Sequence, residues 1–126
     1  MPKKVPALPG IEASSLPFSQ VVEANGFVFL AGQVGNKPGE SGAVAGGIEA
    51  ETRQMLDNVG RLLEAVGLTY GDVVKATVYL VDFSEFEAMN AIYREYFKNE
   101  PPTRATVGVA ALARDFRIEI EVVATR

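Results

Sequence analysis

The residues best equipped for chemistry stand near the C-terminal end of the chain: Arg104, Thr106, Glu119 and Glu121. Arg104 follows Pro101-Pro102-Thr103 at the mouth of a short β-branched run. A guanidinium placed there can grip a carboxylate through two parallel hydrogen bonds. A nearby glutamate can orient or deprotonate a water. The same residue types also suit a cross-strand ion pair between Arg104 and a glutamate, and pattern alone leans that way. The chain has no histidine and no cysteine. The commonest general base and metal ligand is therefore missing, as are thiolates and disulfides. Any chemistry must use carboxylates, Arg, Lys, Tyr, Ser, Thr, backbone groups or bound water.

Alternation predicts how these residues are presented, because strand side chains point to opposite faces in turn. In a strand over 104–110, Ala105, Val107 and Val109 share one face, and Arg104, Thr106 and Gly108 the other. In a strand over 116–124, Ile118, Ile120 and Val122 oppose Arg117, Glu119 and Glu121. If both apolar sets face the helices, Arg104, Thr106, Glu119 and Glu121 lie together on the helix-free face.

The rest of the chain supplies the frame. Residues 1–17 hold four prolines and read as an extended arm. Strands are predicted over 19–23 and 27–33, joined through Asn25-Gly26, a strong hairpin signal. Residues 35–47 are glycine-rich and read as a loop, without the lysine and helix context of a phosphate-binding loop. Over 48–66, Ile48, Met55, Val59, Leu62, Leu63 and Val66 form a helical stripe, with Glu49, Glu51 and Glu64 read as solvated and Gly67 as the stop. A strand over 73–81 has Val74, Ala76, Val78 and Leu80 as its apolar set. A second helix over 85–98 has Ser84 and Glu87 as its capping box. Its aromatic residues Phe86, Tyr93, Tyr96 and Phe97 read as core or subunit contacts, and Asn90 as either a buried polar contact or part of a pocket rim. The order is β-β-α-β-α-β-β: an α+β fold, one mixed sheet with two helices on one face.

Composition bounds the function classes. A chain of 126 residues is one ordinary domain, and 48% hydrophobic with 22% charged is a normal globular balance. The net charge is −4, and the basic residues are scattered. Nucleic-acid binding calls for a concentrated positive patch, so it is not expected. There is no secretory leader pattern and no membrane-length apolar run, so a cytoplasmic protein is expected.

Several segments together resemble one family. Pro102-Thr103-Arg104-Ala105-Thr106-Val107, leading to Ala110-Ala111-Leu112, and Ile118-Glu119-Ile120-Glu121 look like the C-terminal signature of the RidA family, also called YjgF. Pro17-Phe18-Ser19-Gln20, Ala31-Gly32-Gln33, Gln54 with Leu56-Asp57-Asn58, and Asn90 with Tyr93 resemble its earlier motifs in the same order. The resemblance implies a chorismate-mutase-like fold and a homotrimer with sites between subunits. It implies hydrolysis of 2-imino acids or their enamine tautomers, such as 2-iminobutanoate and 2-iminopropanoate, to 2-keto acids and ammonia. By the same resemblance Arg104 holds the substrate carboxylate and Glu119 positions the attacking water. Gly32 and Thr106 line the pocket through backbone groups, and no metal or cofactor is used.

The chain departs from the family pattern at Phe18, where tyrosine is frequent, and at Ala31, where serine is usual. Each change removes a hydroxyl. Thr106 replaces a frequent cysteine, and Gly108 stands where many members have a larger residue. A non-catalytic or differently specific small-carboxylate-binding trimer is therefore a second reading. An endoribonuclease or translation-inhibitor role, a label some members carry, is a third, and the acidic charge and absent histidine argue against it.

Overall fold

The structure is a computed structural model that describes residues 2–12 and 14–126. Met1 and Ala13 of the expected arm lie outside the described residues. The elements are β1 (Val21–Ala24), β2 (Phe27–Val34), α1 (Gly47–Ala65), β3 (Val73–Leu80), α2 (Phe86–Tyr96), β4 (Thr103–Gly108) and β5 (Ile118–Thr125). The strands form one sheet in the order β1-β2-β5-β3-β4. The β3–β4 pair is parallel, with α2 as its crossover, and the other pairs are antiparallel. The expected α+β order and mixed sheet are both present.

Local sequence explains the first hairpin and the end of the first helix. Asn25 and Gly26 both take positive φ, 53° and 81°, which is the conformation a two-residue hairpin with native strand twist requires. Gly67, at φ 78°, closes α1: its N–H donates to Glu64 O at 3.0 Å, and Leu68 N–H donates to Leu63 O at 2.8 Å. Carbonyls of the last turn are thereby satisfied, Leu63 O also accepting from the Val66 N–H at 3.1 Å.

The core lies between the helices and one face of the sheet. Met55, Leu56, Val59 and Leu63 of α1 and Met89 of α2 meet Val28, Ala76, Val78, Leu80, Ile118 and Ile120, all at most 1% exposed. Burying each large side chain contributes about 1.5–3 kcal/mol. Asn58, buried on α1, donates to Val34 O at 2.9 Å and Asn36 O at 2.8 Å. This stitches the loop after β2 to the helix, while Tyr96 Oη donates to Asp57 Oδ1 at 2.9 Å and joins the two helices.

Four expectations are corrected. Glu51 is not solvated: it is 3% exposed, accepts from the Arg117 backbone N–H at 2.9 Å, and its other oxygen lies 3.5 Å from Arg117 Nε. It holds Arg117, the residue just before β5, which the helical pattern of α1 cannot reveal. Val74 leaves the apolar set, because a register shift between Val73 and Lys75 turns it outward. The cap before α2 is Asp82 rather than Ser84: Asp82 Oδ1 accepts from Ser84 N at 3.0 Å and Ser84 Oγ at 2.7 Å, heading a short turn that delays the helix. The arm is not wholly irregular, since Lys4 and Glu23 exchange two backbone bonds of 2.8 Å and Leu8 and Ile11 pack on the core.

Candidate functional site

Arg104 is positioned by edge strand β4. The parallel register sets Arg104 beside Ala76 and Thr106 beside Val78, residues that face the helices. Arg104 therefore lies on the helix side of the sheet, against α2. Its Nη1 donates to Asn90 Oδ1 at 2.7 Å. Its guanidinium stands over the Tyr93 ring at 4.6 Å and the Phe86 ring at 5.6 Å, a cation–π arrangement. Among the described residues it forms no ion pair, so the cross-strand pair with a glutamate is not made. Five N–H donors on a rigid planar fork, one of them used by Asn90, leave the rest available to a ligand.

Glu119 occupies the opposite face. Its neighbours Ile118 and Ile120 are buried under the helices, so alternation turns Glu119 to the open side of β5, beside Val34 and Tyr79. Its carboxylate lies over Gly32, where a Cβ would collide with Glu119 Oε2. Gly32 and Ala31 sit in the register shift between Leu30 and Gln33. The bulge brings the backbone under the acid. Burial, and secondarily the charge of Glu121, hold the Glu119 carboxyl above the usual carboxylate range. Glu121 is bonded to Tyr79 Oη, which raises that phenol.

The expected grouping of Arg104, Thr106, Glu119 and Glu121 on one face is thus overturned. Alternation holds in both strands, but the assumption that apolar residues mark the helix side fails in β4. Ala105 and Val107 are exposed on the open face, which also carries Phe27 and Phe29 at 46% and 45% exposure. An open face that is itself apolar removes the contrast on which the assignment relied.

The remaining candidates divide between these places. Asn90 and Thr106 lie with Arg104; the Thr106 hydroxyl is buried with no partner among the described residues. Gly32 lies with Glu119. Ala31 is part of the same bulge, with its N–H on Gln20 O at 2.8 Å. Phe18 is 52% exposed in a groove against the arm, with Leu16 and Pro17. Tyr93, expected as a core or subunit contact, is buried and also carries the Arg104 guanidinium. The signal for it in the sequence is the motif that it shares with Asn90.

A family model described as Endoribonuclease L-PSP, the RidA/YjgF group, matches residues 11–126. The chain belongs to this family. It is 44% identical to the human protein named 2-iminobutanoate/2-iminopropanoate deaminase, over 86% of this chain and 79% of that one. It is equally 44% identical to a RutC family protein of Pyrococcus horikoshii, over 86% of each chain. A crystal structure of a Rid family protein from Yersinia pestis, titled as of unknown function, superposes with a TM-score of 0.89 at 33% identity, covering 99% of this chain and 100% of that one. As a RidA family fold, the chain presents Arg104 and Glu119 on two different faces. Among its described residues, no helix is long and apolar enough to cross a membrane.

Proposed function

We propose that the protein hydrolyses reactive 2-imino acids and their enamine tautomers, such as 2-iminobutanoate and 2-iminopropanoate, to 2-keto acids and ammonia. The observation that carries this reading is the Arg104 guanidinium. It is fixed by Asn90 and Tyr93 and bears no carboxylate of its own. The names of relatives at 40–44% identity support it. Because Glu119 points away from Arg104, the reading requires a second copy of the chain to bring its Glu119 to the cleft. A homotrimer with intersubunit sites is the assembly proposed, acting in the cytoplasm without metal or cofactor and without nucleic acid as a partner.

The chemistry asks little of the side chains. Arg104 holds the substrate carboxylate, and the adjacent imine carbon is already electrophilic. Glu119 takes a proton from water as the water oxygen bonds to that carbon. Glu119 returns that proton to the nitrogen of the resulting carbinolamine and takes the hydroxyl proton as the C–N bond breaks, so that ammonia leaves and the carbonyl forms. Positioning the acid and the water supplies most of the acceleration. Gly32, with no side chain, leaves room for the Glu119 carboxylate.

A second reading, binding of small carboxylates without turnover, is favoured by Phe18 and Ala31, which lack the hydroxyls usual in the family. Loss of a hydrogen-bond donor at a site costs about 1–3 kcal/mol, a tenfold to hundredfold effect.

The test is keto-acid release from imines generated in situ, with Arg104→Ala and Glu119→Gln each inactive alone. Dissociating and reassembling the two variants together should restore activity above either parent, because some interfaces regain both residues. Release no faster than in buffer, with saturable keto-acid binding, would leave only the second reading. Variants that stay inactive when mixed would remove the intersubunit site.

A further inference from the structure

The Arg104 cleft holds more positive charge than one carboxylate needs. It is an open cavity of about 620 Å³ lined by Asn90, Tyr93, Arg94, Lys98 and Arg104, together with Phe97, Pro101 and Pro102. Three of these residues are cations, and none is an acid. Among the described residues, neither Arg94 nor Lys98 forms an ion pair. The carboxylate that feels the charge of Lys98 is Glu95, and it is committed to Arg53 at 2.9 Å. Positive charge in the last turn complements the helix dipole, which accounts for cations near the end of α2 but not for their facing an acid-free cavity. A second observation lies in the same wall: Tyr93 is 5% exposed, and its hydroxyl is buried without a partner among the described residues.

The spacing of these groups suits a particular ligand. Arg104 is tied to Asn90, and Arg94 stands one helical turn further along α2, about 6 Å. Lys98 follows four residues later, just past the helix end. A ligand whose first carboxylate sits on Arg104 can extend along the helix and meet Arg94 and Lys98 with a second anionic group. A three- or four-carbon monoacid reaches neither.

Resting on the deaminase reading above, we propose that this site prefers diacids, and that its substrate class is four- and five-carbon 2-imino dicarboxylates, with Arg94 and Lys98 receiving the distal carboxylate. The reaction is unchanged: water adds to the imine carbon, ammonia leaves, and the product is a dicarboxylic 2-keto acid.

Calorimetric titration of the intact protein with 2-oxoglutarate and with 2-oxobutanoate tests this without depending on turnover. The diacid should bind about tenfold more tightly, the margin expected of two partly exposed ion pairs. An Arg94→Gln/Lys98→Gln double variant should lose that margin. Equal affinities in the unmodified protein, or a margin that survives in the double variant, would overturn the proposal. Turnover of 2-iminoglutarate and 2-iminobutanoate generated in situ separates the two readings. A charge-dependent diacid margin with neither imine hydrolysed sinks the deaminase reading and the substrate class with it, and upholds only the diacid preference of the site. Hydrolysis of the monoacid imine with no diacid margin does the reverse.

Discussion

The cleft around Arg104 and the patch around Glu119 lie on opposite faces of one sheet and are in different states of completion. The first is built from one chain: a guanidinium hydrogen-bonded to Asn90 and laid over Tyr93, with no ion pair among the described residues. The second is half a site, a carboxylate pressed against a glycine bulge on a face that exposes Phe27, Phe29 and Val107. In the proposed reaction the acid is therefore recognised by a cleft preorganised within one chain, while the water-activating carboxylate must be brought to that cleft by a second copy.

That contrast can be broken in graded steps. Arg104→Ala should have the largest effect, lowering kcat/KM for imine hydrolysis by about a hundredfold or more, since removing a charged hydrogen-bonding partner costs about 2–5 kcal/mol. Keto-acid binding should vanish with it. Glu119→Gln should lower kcat by about a hundredfold through loss of the base while keto-acid affinity stays near that of the unmodified protein. Equal loss of binding in both variants would erase the distinction between the two regions.

Gly32→Ala should come next. The new methyl meets the Glu119 carboxylate, and displacing it should cost about 1–3 kcal/mol, read as a fall in kcat with little change in KM. Asn90→Ala is smaller and opposite in character. It removes one charge-assisted bond to Arg104, so KM should rise about tenfold with kcat retained. If Gly32→Ala moved KM and Asn90→Ala moved kcat, the assigned division of labour would be reversed.

The smallest effect is on pH dependence. The Glu119 carboxyl is raised in the folded chain, so the folded state binds its proton more tightly than the unfolded state does. That contribution favours folding below the unfolded value and is lost as pH rises through the higher folded one. Glu119→Gln should therefore raise Tm relative to the unmodified protein above that window and leave it unchanged well below. Turnover in the unmodified protein should likewise rise with pH through a midpoint above the ordinary carboxylate value. A Tm difference independent of pH would show that burial of Glu119 is not what limits its ionisation.

Which parts of this were readable in advance follows from the range of the forces involved. The hairpin at Asn25-Gly26, the stripe of α1 and its end at Gly67 depend on residues a few positions apart, and each stands where local pattern put it. The side of the sheet on which Arg104 emerges depends on pairing with β3, some thirty residues away, and on the other face being apolar as well. Glu51 looks like any exposed helix acid until Arg117 arrives from the far end of the chain. Arg104 and Glu119 stand out by residue type and alternation as well as by family motif, and Asn90 and Tyr93 by the motif, whereas the seat of the guanidinium on Tyr93 and the grouping of Arg94 and Lys98 with it become visible only once α2 is laid against β4.

The position of β4 at the rim of the sheet has one more consequence. It is hydrogen-bonded to β3 alone, and it carries both Arg104 and Thr106. Rim strands open locally before the centre of a sheet does, so the binding half of the site sits on the part of the fold most easily loosened. In the proposed site, an acid bound between Arg104 and α2 would act as a rivet as well as a substrate, and amide hydrogens of β4 should exchange more slowly in its presence while those of β5 scarcely change.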